Sequence, residues 1–262
     1  MNTAQYNRRV ALVTGALGGI GSAIVVALMQ RDFDVVATDR VIDRALAVDL
    51  VPRATSAAKL ACVAGDLGDI DGLPRFVDAV FAPFGRIDVL VNNAGVSAMS
   101  RGDLLDVSVA SYDLNFSINT RATFFLTQAV TRRMLEQQAV GAEGTRSVIF
   151  VSSSNAAIAA PERGEYAMSK AAVSMMARLY ALRLASHGIA VFEVRPGLIR
   201  TPMTQAAAER YDRLLEGGFT PINRWGTPED VARAIATMAA GDLPFATGAA
   251  IEIDGGMHIH HY

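Results

Sequence analysis

Cysteine is almost absent from the sequence: Cys62 is the only one, so no disulfide can form within the chain. A single thiol fits a reducing compartment, where structural disulfides are rare. No apolar stretch reaches the ~20 residues that a membrane-spanning helix needs, and the segment before Val10 is polar, without the pattern of a targeting peptide. We therefore expect a cytoplasmic protein with no membrane partner.

An excess of either charge is also missing, because 24 basic residues face 26 acidic ones. A nucleic-acid partner would favour a basic excess, so none is expected. The sequence has no internal repeat, low-complexity tract or linker-like change of composition. With 262 residues, 51% of them hydrophobic, the chain is long enough for one large core. We predict a single domain over residues 1–262.

What is present is a regular alternation of short apolar runs and longer helical patterns. Strands this apolar must be covered on both faces. The pattern predicts an α/β fold: a doubly wound, Rossmann-type parallel sheet of about seven strands with helices on both faces. The predicted strands are Val10–Val13, Asp34–Ala37, Leu60–Val63, Ile87–Val91, Ser147–Val151, Ala190–Val194 and Ala250–Ile253. The predicted helices are Gly19–Gln30, Gly72–Phe81, Ala122–Met134, Ala167–Ala185 and one that begins near Thr227. A long surface loop is predicted over Gln137–Gly144.

A glycine-rich turn, Thr14-Gly15-Ala16-Leu17-Gly18-Gly19-Ile20-Gly21, joins the first predicted strand to the first predicted helix. Glycines let the backbone turn sharply and approach a pyrophosphate, while the helix N-terminus offers free N–H groups. Such a turn alone is a weak signal, because an ordinary tight turn looks the same. The strand–turn–helix context favours a dinucleotide site. The predicted cofactor contacts here are Gly15, Leu17, Gly19, Ile20 and Gly21.

Asp39 and Arg40, at the end of the second predicted strand, bear on the choice of cofactor. Asp39 follows Gly21 by 18 positions. An acidic side chain there accepts hydrogen bonds from the adenosine ribose and repels a 2′-phosphate. Arg40 favours NADP, because a guanidinium is a good phosphate partner. The preferred explanation of Arg40 is nevertheless a solvated loop residue, since Ala16, Leu17 and Gly18 of the turn offer no second cation. We favour NAD over NADP and include both residues among the cofactor contacts.

Tyr166 and Lys170 are spaced to share one face of a predicted helix. The pKa of a free tyrosine is ~10, so a phenolate at pH 7 costs about 4 kcal/mol. A neighbouring ammonium and an oxidised nicotinamide ring both lower that cost, so that the phenol can exchange a proton with a substrate oxygen. Pairs of this kind also occur by chance on helix surfaces.

The order of these motifs resembles the short-chain dehydrogenase/reductase family, from about Arg8 to Gly256. The glycine spacing matches that family and differs from the G-x-G-x-x-G of ordinary Rossmann dehydrogenases. Asn92-Asn93-Ala94-Gly95 is similar to the family's NNAG motif, and Arg195-Pro196-Gly197 to its PG motif. The resemblance implies further cofactor contacts at Asp66, Leu67, Asn93, Ala94, Gly95, Tyr166, Lys170, Pro196, Gly197 and Thr201.

The same resemblance implies a catalytic set of Asn119, Ser153, Tyr166 and Lys170. Ser153, thirteen positions before Tyr166, matches the serine that orients the substrate oxygen. Asn119 matches the asparagine that holds a water chain leading from the lysine, and Lys170 would also bind the nicotinamide ribose. The implied reaction is hydride transfer between NAD(P) and a ketone or secondary alcohol, with the tyrosine as general acid/base.

Substrate choice is expected to lie in the segment between Leu198 and Trp225, which we predict to close as a lid. The layout is similar to that of 3-oxoacyl-(acyl-carrier-protein) reductases and is shared with sugar and polyol dehydrogenases. Asp39 counts against the former, which usually prefer NADPH. The candidate substrate contacts are Asn155, Arg163, Arg200 and Met203, with the two arginines as anchors for an anionic group.

Two further classes stay open: a cofactor-binding regulator with little catalysis, and an epimerase or dehydratase with a tightly held cofactor. The complete catalytic set weighs against the regulator. The short sequence after Gly256 weighs against the epimerase, because such relatives usually carry a longer substrate domain.

The resemblance implies a homotetramer, with Met175, Met176 and Leu179 packing at an interface. The tail histidines, His258, His260 and His261, could bind a metal, but an interface or frayed end is favoured, and no metal is predicted.

Overall fold

The computed structural model describes residues 8–43, 49–51, 57–137 and 146–259. The strands of this part are β1 (Val10–Thr14), β2 (Asp34–Asp39), β3 (Leu60–Ala64), β4 (Val89–Asn92), β5 (Arg146–Val151), β6 (Ile189–Pro196) and β7 (Ala250–Ile253). They form one seven-stranded sheet in the order β3-β2-β1-β4-β5-β6-β7, and every pairing in it is parallel. The order reverses direction at β1 and β4, as in a doubly wound fold. The predicted fold class is confirmed.

Helices cover both faces of this sheet. They are α1 (Gly19–Gln30), α2 (Leu73–Phe81), α3 (Val109–Asn115), α4 (Thr123–Glu136), α5 (Gly164–Leu184), α6 (Pro202–Gln205), α7 (Ala208–Glu216) and α8 (Pro228–Ala240). A π-helical segment, Phe116–Ala122, joins α3 to α4. Buried side chains of α1 and α8 form one core with the sheet, and those of α2, α4 and α5 form the other. No described helix has both the length and the apolar character required to cross a membrane.

The central strands are apolar because both of their faces are covered. All five residues of β1 are buried. Val10 and Leu12 pack into the core under α2, α4 and α5, whereas Ala11 and Val13 pack into the core under α1 and α8. This division follows from the alternation of side chains along a strand. The edge strand β3 is only partly buried.

Some predicted boundaries were wrong. Strand β4 begins at Val89 and not at Ile87. Helix α5 begins at Gly164, before the predicted Ala167, because Arg163 has a non-helical backbone and ends a short 3₁₀ turn. Ala122, the first residue of the third predicted helix, lies in the π-helical segment, and α4 begins at Thr123. Most of the predicted loop Gln137–Gly144 lies outside the described residues.

The segment between Leu198 and Trp225, predicted to close as a lid, contains α6 and α7. Thr201 begins α6 with a capping box, and Pro202 occupies the first turn. Tyr211 and Leu215 of α7 are buried in a small cluster with Leu198. The spacing of Tyr211 and Leu215, four positions apart, is that of the buried face of an amphipathic helix.

Candidate active site

A cavity of about 830 Å³ opens where the carboxyl ends of the strands meet. Its walls come from the residues that directly follow β1, β2, β3, β4, β5 and β6, which is where ligands bind in open α/β sheets. The volume lies within the usual range for small-molecule sites, roughly 300–1,000 Å³. The predicted cofactor residues that line it are Gly15, Gly19, Ile20, Gly21, Asp39, Arg40, Asp66, Leu67, Asn93, Ala94, Gly95, Tyr166, Lys170, Pro196, Gly197 and Thr201.

The glycine-rich turn forms one end of this cavity. Gly15 has a φ of +61°, and a Cβ added there would lie 2.9 Å from the Cα of Ala94. A Cβ on Gly21 would collide with the carbonyl oxygen of Gly15. Helix α1 begins after Gly18 with no side-chain cap and no acidic residue in its first turn. The turn therefore leaves free N–H groups beside an open space, which fits the pyrophosphate of a dinucleotide.

Asp39 lies beside this turn, at the end of β2. Its Oδ2 accepts a hydrogen bond from the backbone N–H of Leu17 at 3.2 Å, and its Oδ1 accepts one from that of Arg40 at 2.8 Å. Leu17, a predicted cofactor contact, does not line the cavity; its N–H fixes the Asp39 carboxylate instead. The charge of Asp39 thus stands where an adenosine ribose fits.

Asn93 connects the fourth strand to the glycine-rich turn. Its Nδ2 donates hydrogen bonds to the carbonyl oxygens of Thr14, at 2.9 Å, and Gly15, at 3.0 Å. The hydroxyl of Thr14 in turn accepts hydrogen bonds from the backbone N–H groups of Asn93 and Ala94. This reciprocal pairing explains why an asparagine follows β4 and why Gly15 can approach Ala94 so closely.

Tyr166, Lys170 and Ser153 line the other end of the same cavity. Tyr166 is the third residue of α5, and Lys170 follows one helical turn later. The Nζ of Lys170 is 5.8 Å from the centre of the Tyr166 ring and donates a hydrogen bond to the carbonyl oxygen of Val151 at 3.2 Å. Ser153 is buried after β5, and its Oγ accepts a hydrogen bond from the N–H of Asn155. The structure therefore brings the tyrosine, lysine and serine together.

Asn119 lies behind the cavity wall, in the π-helical segment. Its Oδ1 accepts a hydrogen bond from the N–H of Val96 at 2.8 Å, and its Nδ2 donates to the Val96 carbonyl oxygen and to Ser169 Oγ. A Cβ on Gly95 would lie 3.1 Å from Asn119 Oδ1 and 3.2 Å from Lys170 Nζ. Asn119 and Lys170 therefore approach each other across Gly95, although Asn119 itself does not line the cavity.

Two of the four candidate substrate contacts, Arg163 and Met203, line the cavity, and the other two do not. Asn155 turns away and donates a hydrogen bond to the carbonyl oxygen of Ile158. The side chain of Arg200 is 57% exposed and forms an ion pair with Asp212. The predicted substrate contacts at Asn155 and Arg200 therefore have no support from the cavity lining.

Sequence reasoning missed Arg101 and Tyr211, which line the cavity beside Arg163. Arg101 Nη2 donates a hydrogen bond to the Tyr211 hydroxyl at 2.6 Å. Arg101 follows the NNAG motif in a loop, and only its distance from that motif could have pointed to the site. The tail histidine His258 pairs with Asp254 at 2.9 Å, while His260 and His261 lie outside the described residues.

Residues 15–258 match a family model described as enoyl-(acyl carrier protein) reductase. The chain is also 34% identical over 252 residues to 3-oxoacyl-(acyl-carrier-protein) reductase of Thermotoga maritima, a match that covers 96% of this chain and 98% of that protein. The chain belongs to the short-chain dehydrogenase/reductase family. Its fold, cavity and motif order are those of an NAD(P)-dependent oxidoreductase that acts on CH–OH or C=O groups.

Other members of the short-chain dehydrogenase/reductase family are similar over almost the whole chain. The crystal structure of 3-oxoacyl-(acyl-carrier-protein) reductase from Brucella melitensis in complex with NAD is 44% identical, with a TM-score of 0.92, and the match covers 97% of this chain and 99% of that one. The 2-dehydro-3-deoxy-D-gluconate 5-dehydrogenase of Dickeya dadantii is 30% identical over 258 residues and covered to 98% in both chains. The family thus spans acyl and sugar-acid substrates at comparable similarity to this chain.

Proposed function

We propose that this chain, as a single domain, moves a hydride between NAD(P) and a ketone or secondary alcohol, with Tyr166 as general acid/base. The observation that carries the proposal is that Ser153, Tyr166 and Lys170 line the same cavity as the glycine-rich turn. The dinucleotide, held by the cofactor contacts described above, supplies the hydride when bound. In reduction, a carbonyl carbon gains the hydride and its oxygen gains the proton of the Tyr166 hydroxyl.

The other side chains prepare this proton transfer. Ser153 is placed to donate its hydroxyl proton in a hydrogen bond to the substrate oxygen and so to stabilise the developing negative charge. The Nζ of Lys170, 5.8 Å from the Tyr166 ring centre, is proposed to hold a positive charge beside the group that transfers the proton. Asn119 accepts a hydrogen bond from the N–H of Val96 and donates one to the hydroxyl of Ser169, the residue before the lysine. It is proposed to support the water that returns the proton. Oxidation of an alcohol follows the same steps in reverse.

NAD is the proposed cofactor, in preference to NADP. The support is the carboxylate of Asp39, which lines the cavity and is oriented by the N–H groups of Leu17 and Arg40. A 2′-phosphate on the adenosine ribose would meet this negative charge at close range. Arg40 lines the same region, and its guanidinium is the feature that favours NADP.

For the substrate, a 3-oxoacyl thioester and a sugar or polyol are the two candidates that the relatives' names support. A weakly catalytic cofactor-binding regulator is the alternative of a different class.

We also propose a homotetramer, because α4 and α5 expose an apolar face. The cytoplasm is the proposed location, since Cys62 is exposed and unpaired, as in a reducing compartment.

The test of the proposed function is oxidation of NADH and NADPH with a panel of ketones and thioesters, using the unmodified protein beside Tyr166→Phe. We expect the substitution to lower kcat by at least about 100-fold, because it removes the general acid, while the protein still binds the cofactor. Arg213→Met, on an exposed part of α7, is the control and should behave as the unmodified protein. Equal turnover by Tyr166→Phe would refute the mechanism, and binding without turnover of any ketone or alcohol would favour the regulator.

A further inference from the structure

Two guanidinium groups, those of Arg101 and Arg163, line the cavity at the end that holds Tyr166. The Cζ of Arg163 is 5.1 Å from the centre of the Tyr166 ring. Arg101 comes from the loop after β4, and Arg163 from the turn before α5. The charge of Arg163 therefore stands close to the position where the reacting carbon must lie if Tyr166 is the general acid, and Arg101 lines the same cavity.

Both guanidinium groups retain donors that the described residues do not satisfy. The Nη1 of Arg101 and the Nε of Arg163 are buried and make no hydrogen bond within the described part of the chain. A buried charged donor without an acceptor is costly, so it requires an explanation. Both side chains line the cavity, so a ligand bound there can accept hydrogen bonds from the guanidinium N–H groups that face it.

The acidic residues near Arg101 and Arg163 do not offset their positive charge on the side that faces the cavity. Glu162 approaches Arg101 Nη1 at 3.5 Å, but its Oε1 is also 3.3 Å from Arg210, and Glu162 does not line the cavity. The acidic residues that do line it, Asp39 and Asp66, follow β2 and β3 and belong to the cofactor end. Among the described residues, the substrate end has no lining carboxylate.

The local structure holds the two arginines in place. The N–H of Gly102 donates a hydrogen bond to the carbonyl oxygen of Glu162 at 3.1 Å, which joins the two arginine-bearing loops. Arg101 also donates a hydrogen bond to the hydroxyl of Tyr211, so a residue of α7 helps to hold its guanidinium in place. The guanidinium of Arg101 is thus oriented before a substrate binds, which lowers the entropic cost of binding.

We infer that the substrate of this site is a keto or hydroxy acid whose carboxylate lies a few bonds from the reacting carbon and is bound by Arg101 and Arg163. The inference rests on the proposed function and specifies its substrate class. A planar carboxylate accepts paired N–H bonds from guanidinium groups better than any neutral group does. A neutral thioester would instead cover two buried donors without satisfying them.

The experiment compares matched pairs of substrates that differ only in charge. A panel of 2-, 3- and 5-keto and hydroxy acids, including aldonates, is assayed with NAD(H) beside the methyl ester and primary amide of each acid. We expect the best acid to exceed its ester and amide in kcat/KM by at least about 100-fold, the penalty of leaving charged donors unpaired. Equal kcat/KM for acid, ester and amide, or turnover of neutral thioesters and sugars alone, would overturn the inference.

Variants of the two arginines test the assignment of residues. Arg101→Met and Arg163→Met should each lower kcat/KM for the acid by about 10- to 100-fold and that for the ester far less. Arg101→Lys, which keeps the charge, should recover part of the loss. Arg213→Met is the matched control and should leave both values unchanged. An equal loss for acid and ester would assign these arginines a structural role and overturn the inference.

A binding measurement separates this inference from the proposed function. Isothermal titration of the Tyr166→Phe protein, loaded with NAD, should detect the acid but not its ester, and Arg101→Met in the same background should abolish that heat. If Tyr166→Phe still turns over ketones, the proposed mechanism fails whatever the arginines do. If Tyr166→Phe is inactive but binds acid and ester alike, the oxidoreductase stands and the carboxylate class is refuted.

Discussion

The carboxylate of Asp39 has two backbone donors already, from Leu17 and Arg40, so its position does not depend on the cofactor. A carboxylate that is held in place discriminates against a 2′-phosphate more strongly than a mobile one, because its side chain cannot rotate away from the phosphate. Discrimination at this site is therefore a property of one side chain and its backbone partners. The neighbouring Arg40 provides the opposing charge.

Replacing Asp39 with serine should reverse or abolish the proposed preference for NAD. The substitution removes the repulsion and leaves Arg40 beside the ribose, so we expect the ratio of kcat/KM for NADPH over NADH to rise by about 10- to 100-fold. Steady-state kinetics with both cofactors measure the ratio. Asp39→Ser combined with Arg40→Ala is the matched control, and it should lose most of the NADPH gain. A ratio unchanged by either variant would contradict the assignment of Asp39.

The sequence predicts those site residues whose spacing is local and not those that are positioned by distant partners. Tyr166, Lys170 and Ser153 could be identified because their spacing belongs to one helix and one strand end. Arg101 could not, since its partner Tyr211 is 110 residues away and nothing local distinguishes it from other loop arginines. The sequence also could not show that Arg200 forms an ion pair with Asp212 and has a largely exposed side chain.

Helix α8 illustrates how an element begins where its sequence can satisfy its first N–H groups. Thr227 accepts a hydrogen bond from the N–H of Asp230, and Asp230 accepts one from the N–H of Thr227 at 2.9 Å. Arg224 donates to the same carboxylate at 2.7 Å. This hydrogen bond to Arg224 is the largest cause of the lowered pKa of Asp230.

Asp230→Asn should destabilise the fold by about 0.5–1 kcal/mol at pH 7, the usual contribution of an acidic residue at a helix N-terminus. Because the pKa of Asp230 is lower in the folded chain, its ionised form stabilises the fold above the unfolded-state pKa of ~3.9. The difference from the unmodified protein should therefore be constant from pH 7 to 5 and shrink as the pH falls below about 4. Urea unfolding at a fixed protein concentration measures it.

Thr227→Ala is the comparison for this prediction. It removes the uncharged half of the cap, so it should cost about 1 kcal/mol at every pH. If the cost of Asp230→Asn were equally independent of pH, the interaction with Arg224 would contribute nothing through charge, and the prediction would be wrong.

At the scale of elements, the alternation of strands and helices was predictable because hydrophobic periodicity is local. The π-helical segment Phe116–Ala122 was not, because the same residues satisfy an α-helical pattern. Its wider turn accompanies Asn119, which bonds the backbone of Val96, a contact with a distant loop. π-helical turns of this kind frequently occur at functional sites. Long-range contacts of this type decide the local helix geometry and leave no mark on the sequence pattern.

Helices α4 and α5 together form an exposed apolar face on the surface of the molecule. The two helices contact each other through Tyr180, whose hydroxyl donates to the carbonyl oxygen of Phe124 at 3.0 Å. Burial raises the pKa of Tyr180 to about 12, so that hydroxyl stays a donor at physiological pH. Beside this contact the helices expose the apolar residues Phe124, Phe125, Met175, Leu179 and Leu182. Apolar residues gathered on adjacent helices mark an interaction surface more often than scattered ones do.

A single charged residue introduced into this face should weaken self-association through it. The side chain of Leu179 is 55% exposed at the face, and an isologous contact would bring each substitution against its own copy. We expect Leu179→Arg to convert the proposed tetramer into a smaller species, measured as molar mass by light scattering after size exclusion. Val41→Arg, at another exposed apolar residue after β2, should leave the mass unchanged. A monomeric unmodified protein, or a Leu179→Arg protein of full mass, would exclude this face as the interface, and the apolar residues would then require a different partner.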